Sequence, residues 1–181
     1  QLVLRDRLDF PKRAIKAVAL TTQRATIINL DRDGKPLRPA IVWLDQRLEQ
    51  DLPSMGLWNI LLTLAGEKDA VRFFRSEAEA NWIKNKQPEI WDKTAKYLLL
   101  SGYLTYKLTG KYVDSVASQV GYLPFDFKRH DWAGRLDWKW RALPIKREQL
   151  PELVPAGASL GAISAEAAQL TGIPEGLPLI T

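Results

Sequence analysis

Gln23, Arg24, Trp43 and Asp45 bring an amide, a guanidinium, an indole and a carboxylate to the two arms of one short stretch of chain. Amides, guanidiniums and carboxylates hydrogen-bond hydroxyl groups, and an indole face packs on the C–H face of a sugar or polyol. The four together are an inventory for holding a polyhydroxyl ligand. A hairpin would position them. The apolar runs 17–20 and 26–30 flank the polar cluster Thr21-Thr22-Gln23-Arg24, and Asp31-Arg32-Asp33-Gly34 reads as a tight turn, where glycine supplies a positive φ. Ala40-Ile41-Val42-Trp43 then returns toward Asp45 and Arg47. Strands are expected at 17–22, 26–31 and 38–43. Each residue also has a plainer role. Arg24 can close the hairpin by pairing with Asp31 or Asp45, Trp43 can be core, and Asp45 can cap its loop.

Beyond the hairpin the pattern turns mostly helical. Leu57, Trp58, Leu61, Leu62 and Ala65 recur at helical spacing and predict one buried face, with Gly66 as the stop. Short helices are expected over 67–74 and 77–86, where Ala78, Trp82 and Ile83 suit a buried face, and another after Pro88. Residues 97–100 read as a short apolar strand and 102–108 as a helix closed by Thr109-Gly110. The stretch 112–127, rich in small polar residues, reads as loop, and 133–143 as helix. Residues 160–163 and 177–180 read as strands around a helix over 165–170 capped by Ser164. The sum is an α/β domain.

Several of these pieces resemble one family. Gln-Arg-x-Thr at 23–26, Gly-x-Pro-Leu at 34–37 and Ala-Ile-x-Trp-x-Asp-x-Arg at 40–47 are similar to the N-terminal domain of the FGGY carbohydrate kinases, which phosphorylate glycerol, xylulose, gluconate, ribulose and related compounds. Leu108-Thr109-Gly110 followed by Asp114-Ser115 and Ala117-Ser118 resembles the family's LTG…D.S.AS stretch, with Asp114 one residue closer to Ser115 than that pattern asks. Phe125-Asp126 with Trp132, and Gly172-Ile173-Pro174-x-Gly176-Leu177-Pro178, match two further elements in the right order. The resemblance implies an actin-like, ribonuclease-H-like α/β fold, present in part, with residues 1–181 as a partial N-terminal, sugar-side domain. It implies Gln23, Arg24, Trp43 and Asp45 as ligands of a sugar or polyol hydroxyl group that attacks the γ-phosphate of Mg2+-bound ATP. The family's Asp-x-Gly-Thr phosphate loop does not occur in these residues, its catalytic Gly-Asp pair is expected just beyond Thr181, and its ATP-binding second domain would come later. The expectation is therefore an internal piece that does not phosphorylate sugars alone. Ala25 follows Arg24 where glycerol kinases carry Glu, and the Met-His of xylulose kinases is also missing, so the individual substrate stays open.

Composition excludes several other classes. The 181 residues are 46% hydrophobic and 26% charged, ordinary values for one globular domain. With no cysteine and one histidine, His130, thiolate and histidine metal sites and a disulfide scaffold fall away, and a cytoplasmic location fits. No apolar run reaches the roughly 20 residues that span a bilayer, so no membrane partner is expected. The net charge of +5 is scattered without a basic stripe interleaved with aromatics, which argues against nucleic acid. A homo-oligomer is compatible with all of this. Two other functions stand beside the kinase: a non-catalytic sugar-binding or regulatory domain, and a ribonuclease-H-like nuclease. The second needs clustered carboxylates for two metals, and the sequence offers no such set.

Overall fold

The computed structural model describes residues 14–181. In chain order it forms β1 (Val18–Ala19), β2 (Ile27–Leu30), α1 (Leu57–Leu64), α2 (Lys68–Glu77), α3 (Glu79–Lys86), α4 (Pro88–Lys93), β3 (Lys96–Leu99) and α5 (Leu100–Thr109). There follow β4 (Val113–Ser115), β5 (Phe125–Asp126), β6 (Asp131–Trp132), α6 (Lys139–Ala142), β7 (Glu152–Val154), β8 (Ser159–Ala162), α7 (Ala165–Thr171) and β9 (Pro178–Ile180). The chain divides into two units. The first takes residues up to Gln23 with Leu99–Ser118 and Pro151–Thr181, the second Arg24–Leu98 and Gln119–Leu150.

The first unit is knit from segments far apart in sequence. β9 runs parallel to β1, pairing Leu179 with Val18, and antiparallel to β8 on its other side. β4 and β7 form a separate parallel pair. Leu160, Ile163, Ala167 and Leu179 are its buried centre, with Val18, Leu108, Val113 and Val154 packed around them. The expected helix ends hold. α5 stops where Gly110 turns left-handed (φ 73°), and the Ser164 hydroxyl accepts the Ala167 N–H at 3.2 Å to open α7. The stretch read as loop after Tyr112 instead begins with β4. Its Asp114 is fully buried and accepts hydrogen bonds from the Ser101 hydroxyl and the Ser115 N–H, both at 2.8 Å. Gly102 leaves it room, since a methyl group there would sit 3.3 Å from the carboxylate. Within the stretch, Ser115 is held to this buried carboxylate through its backbone N–H.

The second unit carries the hairpin. Ile27 and Ile41 exchange both backbone hydrogen bonds (2.8 and 3.1 Å), and Leu37 N–H reaches Asn29 C=O at 2.9 Å. The turn is built as expected: Gly34 has φ 73°, and the Asp31 carboxylate accepts the N–H groups of Asp33 and Lys35. Of the other two expected strands, the one over 17–22 forms only at Val18–Ala19 and pairs in the other unit's sheet rather than with the hairpin, and the return arm forms isolated bridges at Ile41 and Pro36 rather than a strand. Pro36 and Pro39 each lack a donor, so a continuous ladder cannot form there. β2, buried along its length, pairs on with β3.

Helices α2 and α3 meet at a sharp corner held by polar groups. Buried Arg75 donates to Pro53 C=O at 2.7 Å, and Asn81 donates to the carbonyls of Arg75 (2.9 Å) and Ala142 (3.2 Å). α1 exists where expected and ends before Gly66, but none of its residues is buried. The sequence LWNILLTL is apolar around nearly its whole circumference, so spacing alone cannot choose a buried face. The helix expected over 133–143 shrinks to Lys139–Ala142. The Trp140 indole N–H donates to the carbonyls of Ala133 and Gly134, both at 3.0 Å, and holds that stretch out of the helix, while Asp137 takes the Lys139 N–H.

Candidate functional site

The hairpin's return arm ends in a turn, with Asp45 N–H bonded to Val42 C=O at 2.9 Å, and this turn lifts Trp43 into the open at 60% exposure. Asp45 then folds back on its own segment. Its carboxylate takes the Arg47 N–H (3.0 Å) and the Arg47 guanidinium, through Nε at 2.7 and 2.9 Å and through a further bond from Nη2. The same guanidinium lies 4.4 Å over the Trp82 ring. Trp43, Asp45 and Arg47 form one wall of a cleft of about 130 Å³. Ala25 and Ile41, from the two arms of the hairpin, also line it. Facing them are Glu77 at the end of α2, Glu79 and Trp82 on α3, and Tyr122. The sharp α2–α3 corner places both glutamates toward one space.

Three carboxylates and the Arg47 guanidinium line the cleft, and the charge of Arg38 adds a smaller pull on Asp45. The hydrogen bonds from Arg47 hold the Asp45 carboxyl below its ordinary range, and Asp45 in turn holds the Arg47 guanidinium above its own. Glu79 is pushed up to about 7: burial is the main cause, a backbone hydrogen bond opposes it, and the charges of Asp45 and Glu77 add to it. Burial first, then the charges of Glu77 and Glu79 and a hydrogen bond to Glu77, raise the Tyr122 hydroxyl. The buried Tyr97 hydroxyl is raised far more, by burial and then by Glu79. Near neutral pH, Glu79 can therefore either donate or accept a hydrogen bond, beside an Asp45 that only accepts.

The raised Glu79 has a consequence for stability. Between its unfolded value of 4.5 and its folded value of about 7, the native state keeps a proton that the unfolded chain has released, so stability falls as pH rises through that window. Glu79→Gln should therefore stabilise the protein at about pH 8, by on the order of 1 to 3 kcal/mol, and the gain should vanish near pH 4.5. Urea denaturation at both pH values checks this, and a gain independent of pH would contradict it.

Of the residues singled out from sequence, the structure brings Trp43 and Asp45 into this cleft. Arg24 is exposed and does not line it, although its neighbour Ala25 does, and the ion-pair partner of Asp45 is Arg47. Gln23 is exposed and is the last residue of the first unit's opening segment. His130 is an exposed turn residue with φ 53°. Sequence reasoning names Arg47 at the hairpin's charged end and Trp82 on a buried helical face without placing either in the site, and passes over Glu77, Glu79 and Tyr122. A glutamate between Ala78 and Ala80, at the start of a helix with a buried face, was the one local signal, since small residues mark close packing. Tyr122 had none. A larger cavity, about 520 Å³, lies between Trp132, Trp140, Arg135 and Arg147, and none of the sequence candidates reaches it.

Among the described residues no group of three or more histidines, cysteines or carboxylates could hold a metal ion, Asp45, Glu77 and Glu79 included. No described helix is long and apolar enough to cross a membrane.

The model of the N-terminal domain of the FGGY family of carbohydrate kinases matches residues 2–181. A xylulose kinase of Staphylococcus xylosus is 26% identical over 163 residues, covering 88% of this chain and 32% of its own. An L-fuculokinase of Escherichia coli K12 is 24% identical over 168 residues, covering 92% and 35%. The crystal structure of a gluconate kinase from Lactobacillus acidophilus superposes with a TM-score of 0.68 at 22% identity, over 92% of this chain and 33% of that one. The chain spans about a third of the length of the curated relatives it matches. The fold is thus the N-terminal part of the actin-like α/β fold of sugar kinases.

Proposed function

Because the chain belongs to the FGGY family of carbohydrate kinases, we propose that it supplies the sugar side of an enzyme that transfers the γ-phosphoryl group of ATP to a hydroxyl of a sugar or polyol. One observation carries this reading: Trp43 and Asp45, picked out by residue type and spacing, line the same cleft. Asp45 accepts hydroxyl hydrogen bonds while Arg47 fixes its orientation, and the exposed Trp43 indole covers the C–H face of the ring or chain. Arg24, beside the lining residue Ala25, adds a donor to the substrate, and Gln23 stays in the proposed set as its neighbour in sequence. ATP and Mg2+ supply the phosphoryl group and offset its charge. No described carboxylate cluster fits a metal, so neither is assigned to a residue of this chain. The cleft's own residues bind and orient the acceptor and, with Trp43 and Trp82, shield it from water.

The test is ATP-dependent phosphorylation of a panel of ketoses, aldoses, polyols and aldonates by the full-length protein. Turnover of none of them overturns the reading, and sugar binding without turnover would make this a non-catalytic sugar-binding domain. In the same protein Arg24→Ala should raise KM for the sugar by roughly 10-fold, the worth of a charged hydrogen bond, with KM for ATP unchanged. Unaltered sugar kinetics would remove Arg24 from the site.

A further inference from the structure

The cleft at Asp45 holds more negative charge than its cation balances. Arg47, the one cation among the described lining residues, is already engaged with both oxygens of Asp45. Glu77 and Glu79 face the same space, and Glu77 receives the Tyr122 hydroxyl, a neutral donor. Arg38 acts on Asp45 without lining the cleft, and the charges that shift Glu79 are those of Asp45 and Glu77. Resting on the kinase reading above, we infer that Glu77 and Glu79 make this cleft selective for an uncharged sugar or polyol and turn away sugar acids.

A neutral polyol is well served here, because each of its hydroxyls can donate to a carboxylate oxygen and the indoles need no charge from it. An aldonate of the same length offers the same hydroxyls plus one carboxylate. That group would enter beside the like charges of Glu77 and Glu79, where the lining guanidinium of Arg47 is already engaged by Asp45, the repulsive element by which sites reject a near-isostere. The effect is tied to the state of Glu79. Around it stand Asp45 and Arg47 from the hairpin's return arm, Glu77 on α2, Tyr122, and Tyr97 on β3 with Arg38 acting on that hydroxyl. An anion entering the cleft favours protonated Glu79, so it should bind better as pH falls, and a neutral ligand should show much less of this dependence.

The experiment compares kcat/KM of the full-length protein for ketoses and polyols against the aldonates of matched carbon number. At about pH 8 the best neutral compound should exceed its matched aldonate by roughly 10-fold or more, the gap narrowing at about pH 6. In the double variant Glu77→Gln/Glu79→Gln the ratio of aldonate to neutral activity should rise at both pH values. An aldonate preferred by the native protein, a ratio that ignores pH, or a ratio unchanged in the double variant would each overturn the inference. The native pH series needs no variant to fold. Failure of the kinase reading looks different: no compound of either charge would be phosphorylated.

Discussion

Asp45→Ala in the full-length protein is expected to lower kcat/KM for the sugar by about 10- to 150-fold, the loss of one or two hydrogen bonds to a charged acceptor. Two effects combine in this substitution. The substrate loses its acceptor, and Arg47 loses the carboxylate that binds it through both Nε and Nη2 and holds it over Trp82. The freed guanidinium would then neutralise part of the charge of Glu77 and Glu79, and removing Asp45 itself takes away one of the causes that raise Glu79. The pH dependence of aldonate activity should therefore shift to lower pH in the variant. Steady-state kinetics over a pH series, with KM for ATP as the control, reads both effects. Unchanged kcat/KM for the sugar would take Asp45 out of the substrate site and leave it as the partner of Arg47 alone.

The largest effect on stability is expected at Phe125. Its ring is 1% exposed and meets Phe127 edge-on at 4.9 Å and Trp132 at 6.0 Å. Phe125→Ala removes most of a large buried ring and leaves a cavity that two other aromatics cannot fill without leaving their rotamers, a cost of about 3–5 kcal/mol. For a domain of this size that lowers Tm by on the order of 10 °C. Phe127 is the internal control. It touches the same ring but is 57% exposed, so Phe127→Ala should cost much less. Equal losses from the two, measured by thermal or urea unfolding, would show that burial at Phe125 is not what anchors the β5–β6 hairpin.

What could be read in advance was what neighbouring residues decide among themselves. The Asp31–Gly34 turn, the stops at Gly66 and Gly110 and the Ser164 cap follow from local chemistry, and all stand in the structure. Trp43 and Asp45 were legible for the same reason, since the turn that exposes them lies within their own segment. Glu77, Glu79, Trp82 and Tyr122 come to the cleft from segments some 30 to 80 residues further along, through the α2–α3 corner and the path of the chain after Gln119. That corner depends on Arg75 and Asn81 reaching backbone carbonyls of distant segments, which no periodicity announces. Buried Asp114 was misread as loop because burial of a carboxylate is visible only once its partners are in place. The strand near Val18 reads as a neighbour of the hairpin for a related reason. Its partner is Leu179, nearly the whole chain away.

That pairing fixes the order of events during synthesis. Val18 leaves the ribosome early, yet the strand that completes its sheet is made about 160 residues later, on the order of ten seconds at ordinary translation rates. Through that interval β1 lacks its strand partner among the described residues, while the Arg24–Leu98 stretch already contains the hairpin, α1 to α4 and most of β3. The second unit is thus free to begin organising during translation, and the first must wait for closure of a very long loop, the slow kind of step in a folding reaction. Nascent chains stalled shortly before Leu179 should present an unpaired Val18 segment to chaperones and proteases, and those stalled well after Ile180 should not.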